Sequence, residues 1–465
     1  MKFYASSLKK APAFVGDMID TLAQRGRRIL NRAPKTVESE PFPDLSALGD
    51  TLLSRRGEAS GVSVAETLLL SFKMSSADER LRFLQALAER FGPDRRAVEL
   101  AVEAFRKSAD KPAMEALHAA SEPRRQELFR RLNLAPGGTA ALIAMREGLI
   151  ANLKDHPDLR AVDADFAHLF SSWFNRGFLV LRPIDWNTPA NILEKIIKYE
   201  AVHAIRDWGD LRNRLEPEDR RCFGFFHPQL TDEPLIFVEV ALTKEIPASI
   251  SPLLDPERET IPETEATTAV FYSISNTQKG LGGVSFGNFL IKQVVEDITR
   301  ELPGLKTFVT LSPVPGFADW LARERKSEMS LVLDDKTRSQ LQLLDDPKWH
   351  LSPETREAVR EPLLAVAAYY FLKAKSVSGR PIDPVARFHL GNGARLERLN
   401  FLGDVSAKGL KQSHGLMVNY LYALEEIESN HEAFAENFAI AASASVKKSL
   451  RVGLPSTDLV PGRLS

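Results

Sequence analysis

FYSISNTQKGLGGVSFGNFLIKQVVEDITRELPGLKTFVTLSPVPGF, running from Phe271 to Phe317, is the stretch on which the fold class turns. It opens with an apolar and aromatic run, passes through Gly280, Gly282 and Gly283, and continues with Phe286, Phe289, Leu290, Val294, Ile298 and Leu302 at helical spacing. A second apolar run then leads to Leu311. The order is strand, glycine turn, helix, strand. Glycines let a backbone approach a ligand closely, and a helix N-terminus beyond them aims N–H groups at anions. Gly280, Gly282 and Gly283, with Val284, Ser285, Phe286, Gly287 and Asn288 after them, are therefore the expected substrate-binding segment. The spacing is not that of a Walker loop, since no Lys-Ser/Thr pair follows Gly283, and an ordinary turn is the competing reading. Ser312 leaves the second strand between Leu311 and Pro313; Pro313 and Pro315 stiffen its platform, so it either presents a reactive hydroxyl or caps a turn.

Working outward, Gly177–Ile184, Arg221–His227, Pro234–Thr243 and Thr267–Ser275 read as strands, while Pro189–Ala204, Ser285–Leu302, Pro353–Lys373 and Gly415–Glu428 read as helices. Upstream, from Ser63 to about Phe174, the apolar period is helical almost throughout, with starts expected at Asp94, Ser121 and His156–Asp158. The fold class expected is a two-domain α+β protein: an arm and linker over 1–60, a helical bundle over 61–180, and a mixed α/β domain over 181–465.

Composition narrows the function classes. The 465 residues carry a formal net charge of -1, which gives no reason to expect nucleic acid as a partner. One cysteine, Cys222, excludes an internal disulfide framework and leaves a bridge between subunits open. No apolar run is long enough for a transmembrane helix, so no membrane partner is expected. The first residues are basic with no acid before Asp17, which suits either a targeting segment or a basic tail; the cytoplasm is the default expectation.

A second dense stretch, Asp383–Asn400, holds His389 between Phe388 and Leu390. Histidine titrates near neutrality and can donate a proton at working pH, although a satisfied core histidine is the ordinary reading. Asn419 and Tyr422, three apart on the expected Gly415–Glu428 helix, are positioned to reach the same cleft or to pack. Asp404 is a candidate for orienting His389, or for capping its own turn, and His227 lies beside a strand end.

Five segments, Cys222–Thr243, Phe271–Gly283, LSPVPGF (Leu311–Phe317), PVARFHLGNGA (Pro384–Ala394) and GLMVNYLYALEE (Gly415–Glu426), stand in one order in which the chain resembles the malonyl-CoA decarboxylase family. The resemblance extends more loosely from about Phe170 to about Glu428. It implies a GNAT-like acyltransferase fold for the mixed domain and malonyl-CoA as substrate, converted to acetyl-CoA and carbon dioxide through a thioester enolate without metal or organic cofactor. It also implies active-site roles for Ser312 and His389, and a homotetramer built as a dimer of dimers through the helical domain; Tyr422 joins the two as a catalytic candidate from its place on the expected helix face alone. Two positions depart from related patterns: Ser285 stands where some relatives carry glutamate, and Thr277 where many GNAT enzymes carry Gln or Arg, with Gln278 one place later. A GNAT-type acetyltransferase and an inactive CoA-binding regulatory protein are the competing functions.

Overall fold

Leu45, Leu48 and Leu52 recur at helical spacing behind Asp44, whose carboxylate accepts from the Ser46 amide, and Leu45–Leu53 is accordingly a helix with Leu45 and Leu52 buried. This corrects the expected arm and linker, which extended to residue 60. The computed structural model describes residues 44–54, 57–284 and 290–450. Helices continue to Trp173, and several of their starts follow from side-chain caps. Ser76 and Glu79 form a reciprocal capping box before Ala77–Glu89. Asp94 accepts from the amides of Arg96 and Ala97. Ser121 closes the Lys111–Ser121 helix rather than opening the next, which begins at Arg124 after Pro123. Phe129 stacks on Phe166 at 4.0 Å, and Arg125 and Asp165 form a buried ion pair beside them.

The period changes after Trp173, and strands follow: β1 (Val180–Pro183), β2 (Arg220–His227), β3 (Leu230–Thr243), β4 (Thr268–Asn276), β5 (Thr307–Thr310), β6 (Ser312–Pro313), β7 (Arg395–Asn400) and β8 (Met417–Leu421). Among the described residues they form one sheet in the order β1-β2-β3-β4-β5-β8-β6, with β7 also paired to β8. The β4–β5 pair is parallel, and the others are antiparallel. The helix Leu290–Glu301 makes the crossover between β4 and β5, as a parallel pair requires. It buries Ile291, Val294, Val295 and Ile298 from one stripe.

The expected Gly415–Glu428 helix is instead strand β8. His414 and Gly415, both at positive φ, end the preceding helix, and the run Met-Val-Asn-Tyr that follows is buried on both faces. A short apolar run of this kind fits either period, and β-branched and aromatic content favours the strand. Asn419 and Tyr422 therefore do not share a helix face.

One hydrophobic core runs from Leu45 through the sheet to Val446. At its junction, a Cβ on Gly280 would stand 2.1 Å from the Ile143 carbonyl oxygen, so only glycine fits there. Arg146, ion-paired to Asp163, donates from Nη1 to the Gly280 carbonyl at 2.8 Å.

Candidate active site

β4 and β5 stay in register from Thr268↔Thr307 to Phe271↔Thr310 and then part. The Leu311 amide still donates to the Phe271 carbonyl, but Ser312 and Pro313 turn away to pair with Val418 and Met417 of β8. Pro313 and Pro315 lack the N–H that would continue the ladder beside β4. β4 runs on alone on that side to Asn276. The parting opens a cavity of about 440 Å³. Its walls are apolar side chains of β3 and β4 (Ile236, Val238, Phe271, Ile274), the start of the crossover helix, and the helix Pro384–Gly391.

Ser312 and His389 meet at the buried end. The Ser312 Oγ lies 3.1 Å from His389 Nε2 and 2.9 Å from Thr310 Oγ1. Thr310 and Ser312 are two residues apart on an extended chain and so point the same way. The Thr310 hydroxyl oxygen also accepts from the Tyr420 amide. His389 is aimed by its helix, which Asp383 caps by accepting from the Ala386 amide at 2.7 Å, with Pro384 at the first position. Its ring stacks on Tyr420 at 4.6 Å. Tyr422 Oη lies 2.8 Å from His389 Nδ1, completing a chain Thr310–Ser312–His389–Tyr422. With Ser312 donating to Thr310, His389 carries its proton on Nε2 and accepts from Tyr422 on Nδ1, so both ring nitrogens and the Ser312 hydroxyl are satisfied.

Burial alone depresses the His389 pKa to about 3, and no carboxylate faces the ring to oppose it. The imidazole is neutral at working pH, which corrects the expectation of a histidine titrating near neutrality. The same burial raises the Tyr422 phenol well above its usual range.

Other expected residues fall elsewhere. Asp404 does not orient His389: it accepts from the Ser406 amide in its own turn, and Tyr422 occupies the Nδ1 side of the imidazole. Asn419, fully buried, donates to the Thr310 carbonyl and accepts from Asn400 and Arg398, bracing the sheet rather than lining the cavity. His227 bonds the Trp173 carbonyl and the Gln229 amide, pinning β2 to the helical region. Thr277 donates to the Pro234 carbonyl, and Gln278 to Glu233. In the glycine turn, Gly280 serves the junction with Ile143, Gly283 adopts φ +75°, and Val284 borders the cavity. Ser285, Phe286, Gly287 and Asn288 lie outside the described residues. Among the described residues, no group of three or more His, Cys, Asp or Glu side chains is arranged to hold a metal ion.

Thr310 was not among the expected site residues. Its two-residue spacing from Ser312 on a strand is the signal that identifies it. Tyr272 was missed as well: a bulge in the β3–β4 ladder leaves it without a cross-strand partner, and it borders the cavity.

Fold and site together define a two-part α+β enzyme with a neutral serine–histidine–tyrosine chain set where two parallel strands part. The family model for the malonyl-CoA decarboxylase C-terminal domain matches residues 177–459, and that for the N-terminal domain matches residues 91–174. The solved malonyl-CoA decarboxylase of Rhodopseudomonas palustris is 64% identical, with a TM-score of 0.86 over 88% of this chain and 100% of that one. That of Agrobacterium vitis is 59% identical, with a TM-score of 0.84 over the same shares. The mitochondrial malonyl-CoA decarboxylase of the goose Anser anser anser is 36% identical over 405 residues, 80% of each chain. The chain belongs to the malonyl-CoA decarboxylase family of carboxy-lyases. No helix among its described residues is long and apolar enough to cross a membrane.

Proposed function

We propose that this protein releases carbon dioxide from malonyl-CoA and protonates the remaining two-carbon thioester. The observation that carries the mechanism is the buried, uncharged Ser312–His389–Tyr422 chain at the closed end of an apolar cavity. A carboxylate entering that end loses water and meets no cation, which favours its departure as neutral carbon dioxide. The bond between the α-carbon and the carboxyl breaks, and its electron pair delocalises onto the thioester oxygen as an enolate. The substrate supplies this electron sink itself.

Ser312 holds the acyl group by hydrogen bonding to its carboxylate or thioester, turning the scissile bond out of the carbonyl plane. Hydrogen-bond donation to the enolate oxygen stabilises the charge that develops there. His389 gives its Nε2 proton to the α-carbon while Nδ1 takes the proton of Tyr422, so the imidazole ends neutral. A thioester enolate is a stronger base than even a buried phenolate, so the transfer runs downhill, and solvent restores the Tyr422 proton as acetyl-CoA leaves. The Gly282–Asn288 segment is assigned to the phosphate end of the coenzyme. Cytoplasmic location and a homotetramer built from dimers complete the reading; light scattering on the purified protein checks the latter.

The test is carbon dioxide and acetyl-CoA release from malonyl-CoA by wild type, Ser312→Ala and His389→Ala. Release by wild type with both variants crippled supports the assignment. Tight CoA binding without release returns the acyltransferase and regulatory readings.

A further inference from the structure

The cavity is apolar along its walls and uncharged at its closed end, yet one charged side chain borders it among the described residues: Arg387. It stands on the Pro384–Gly391 helix two positions before His389, about 200° around the helix axis, so the two side chains leave in different directions. Ser312 and His389 are buried, whereas Arg387 is half-buried between the exposed Pro384 and Phe388. Arg387 therefore belongs to the mouth, not to the closed end.

Its guanidinium is already oriented. Nη1 donates to the carbonyls of Pro381 at 2.9 Å and Ile382 at 3.0 Å. Among the described residues, Nε and Nη2 have no hydrogen-bond partner, and no carboxylate forms an ion pair with Arg387. A half-buried cation held by one nitrogen, with its other donors unused beside a cavity, is arranged to meet an anion.

A CoA thioester of malonate offers two kinds of anion. The carboxylate loses its charge in the reaction, so an arginine paired with it would stabilise the substrate more than the transition state. The phosphates keep their charge throughout. We infer that Arg387 binds a phosphate group of the coenzyme at the cavity mouth, opposite the glycine turn, leaving the carboxylate to enter the uncharged end alone. This rests on the proposed decarboxylase activity.

The experiment compares wild type, Arg387→Gln and Arg387→Lys on malonyl-CoA, on 3′-dephospho-malonyl-CoA, and on malonyl-pantetheine, which has no nucleotide phosphates. Arg387→Gln should raise KM for malonyl-CoA by roughly 10–100-fold with little change in kcat, the effect of one charge-assisted hydrogen bond. Arg387→Lys should recover part of the loss, and KM for malonyl-pantetheine should stay where it was. If the dephospho substrate is insensitive to the substitution, the 3′-phosphate is the partner; if it stays sensitive, the pyrophosphate is. An equal rise for malonyl-pantetheine would assign Arg387 to the carboxylate or to the fold and overturn the inference, as would an unchanged KM for malonyl-CoA. Should wild type release no carbon dioxide, the activity itself fails, and calorimetric titration of acetyl-CoA against acetyl-pantetheine into wild type and Arg387→Gln still reads the phosphate contact.

Discussion

Tyr422 Oη lies 2.8 Å from His389 Nδ1 across 33 residues of sequence, the phenol arriving one residue past the end of β8 and the imidazole from a separate helix. The Tyr422 amide donates to the Phe308 carbonyl on β5, so the sheet itself fixes where the phenol stands. Tyr422→Phe keeps the ring and deletes only the hydroxyl. Turnover should fall by about 10²-fold, the low end of what one acid–base group contributes, while acetyl-CoA affinity is unchanged by calorimetry. Unimpaired turnover would remove Tyr422 from the proton path.

Thr310 Oγ1 receives both the Ser312 hydroxyl and the Tyr420 amide. Thr310→Val preserves shape and strips the acceptor, leaving two buried donors short of a partner at a cost of about 1–3 kcal/mol. Chemical denaturation should show that loss and steady-state kinetics a lower kcat, whereas Thr310→Ser should restore most of both.

The neutral state of His389 has a definite pH signature. Its pKa is about 3 in the folded protein against a normal value of 6.5. Between those values the unfolded chain binds a proton that the folded chain refuses. The stability this site contributes is complete above pH 6.5 and is lost as pH falls toward 3. His389→Gln should therefore lose less stability than wild type on acidification, read from urea midpoints across that window. A kcat profile with an inflection near pH 6.5 that tracks His389 would contradict the assignment.

Two glycines of one turn should fail differently. Gly280→Ala drives a Cβ into the Ile143 backbone, and should lower the melting temperature by an amount matching about 1–3 kcal/mol of overpacking. Gly283→Ala has open space but sits at φ +75°, so strain of about 1–2 kcal/mol falls on the turn itself. Its main effect should be on KM for malonyl-CoA. Equal KM effects from both would undo this division of labour.

Most of the architecture was legible because its signals are local. The period change near Gly177, the cap at Asp94, and the strand–turn–helix–strand order around Gly280 can be read from neighbours in sequence. The β8 segment was not, since Leu416–Tyr420 is buried on both faces and carries no alternation to separate strand from helix. Ser312 and His389 stood out through their motif settings. What the residues alone could not give was the protonation state of His389, which depends on burial, or the competition between Asp404 and Tyr422 for Nδ1, which depends on tertiary approach. Gly280 shows the same limit: a glycine beside a ligand turn and a glycine beneath another backbone look alike until Ile143 is seen above it.

The Arg146–Gly280 hydrogen bond joins residues 134 apart in the chain, and it ties the turn nearest the cavity to the helical bundle. A fragment beginning at the first strand would keep Ser312, His389 and Tyr422 yet lose the roof over that turn. The bundle thus braces the reaction chamber from outside its lining, and swapping or trimming it amounts to re-engineering the catalyst.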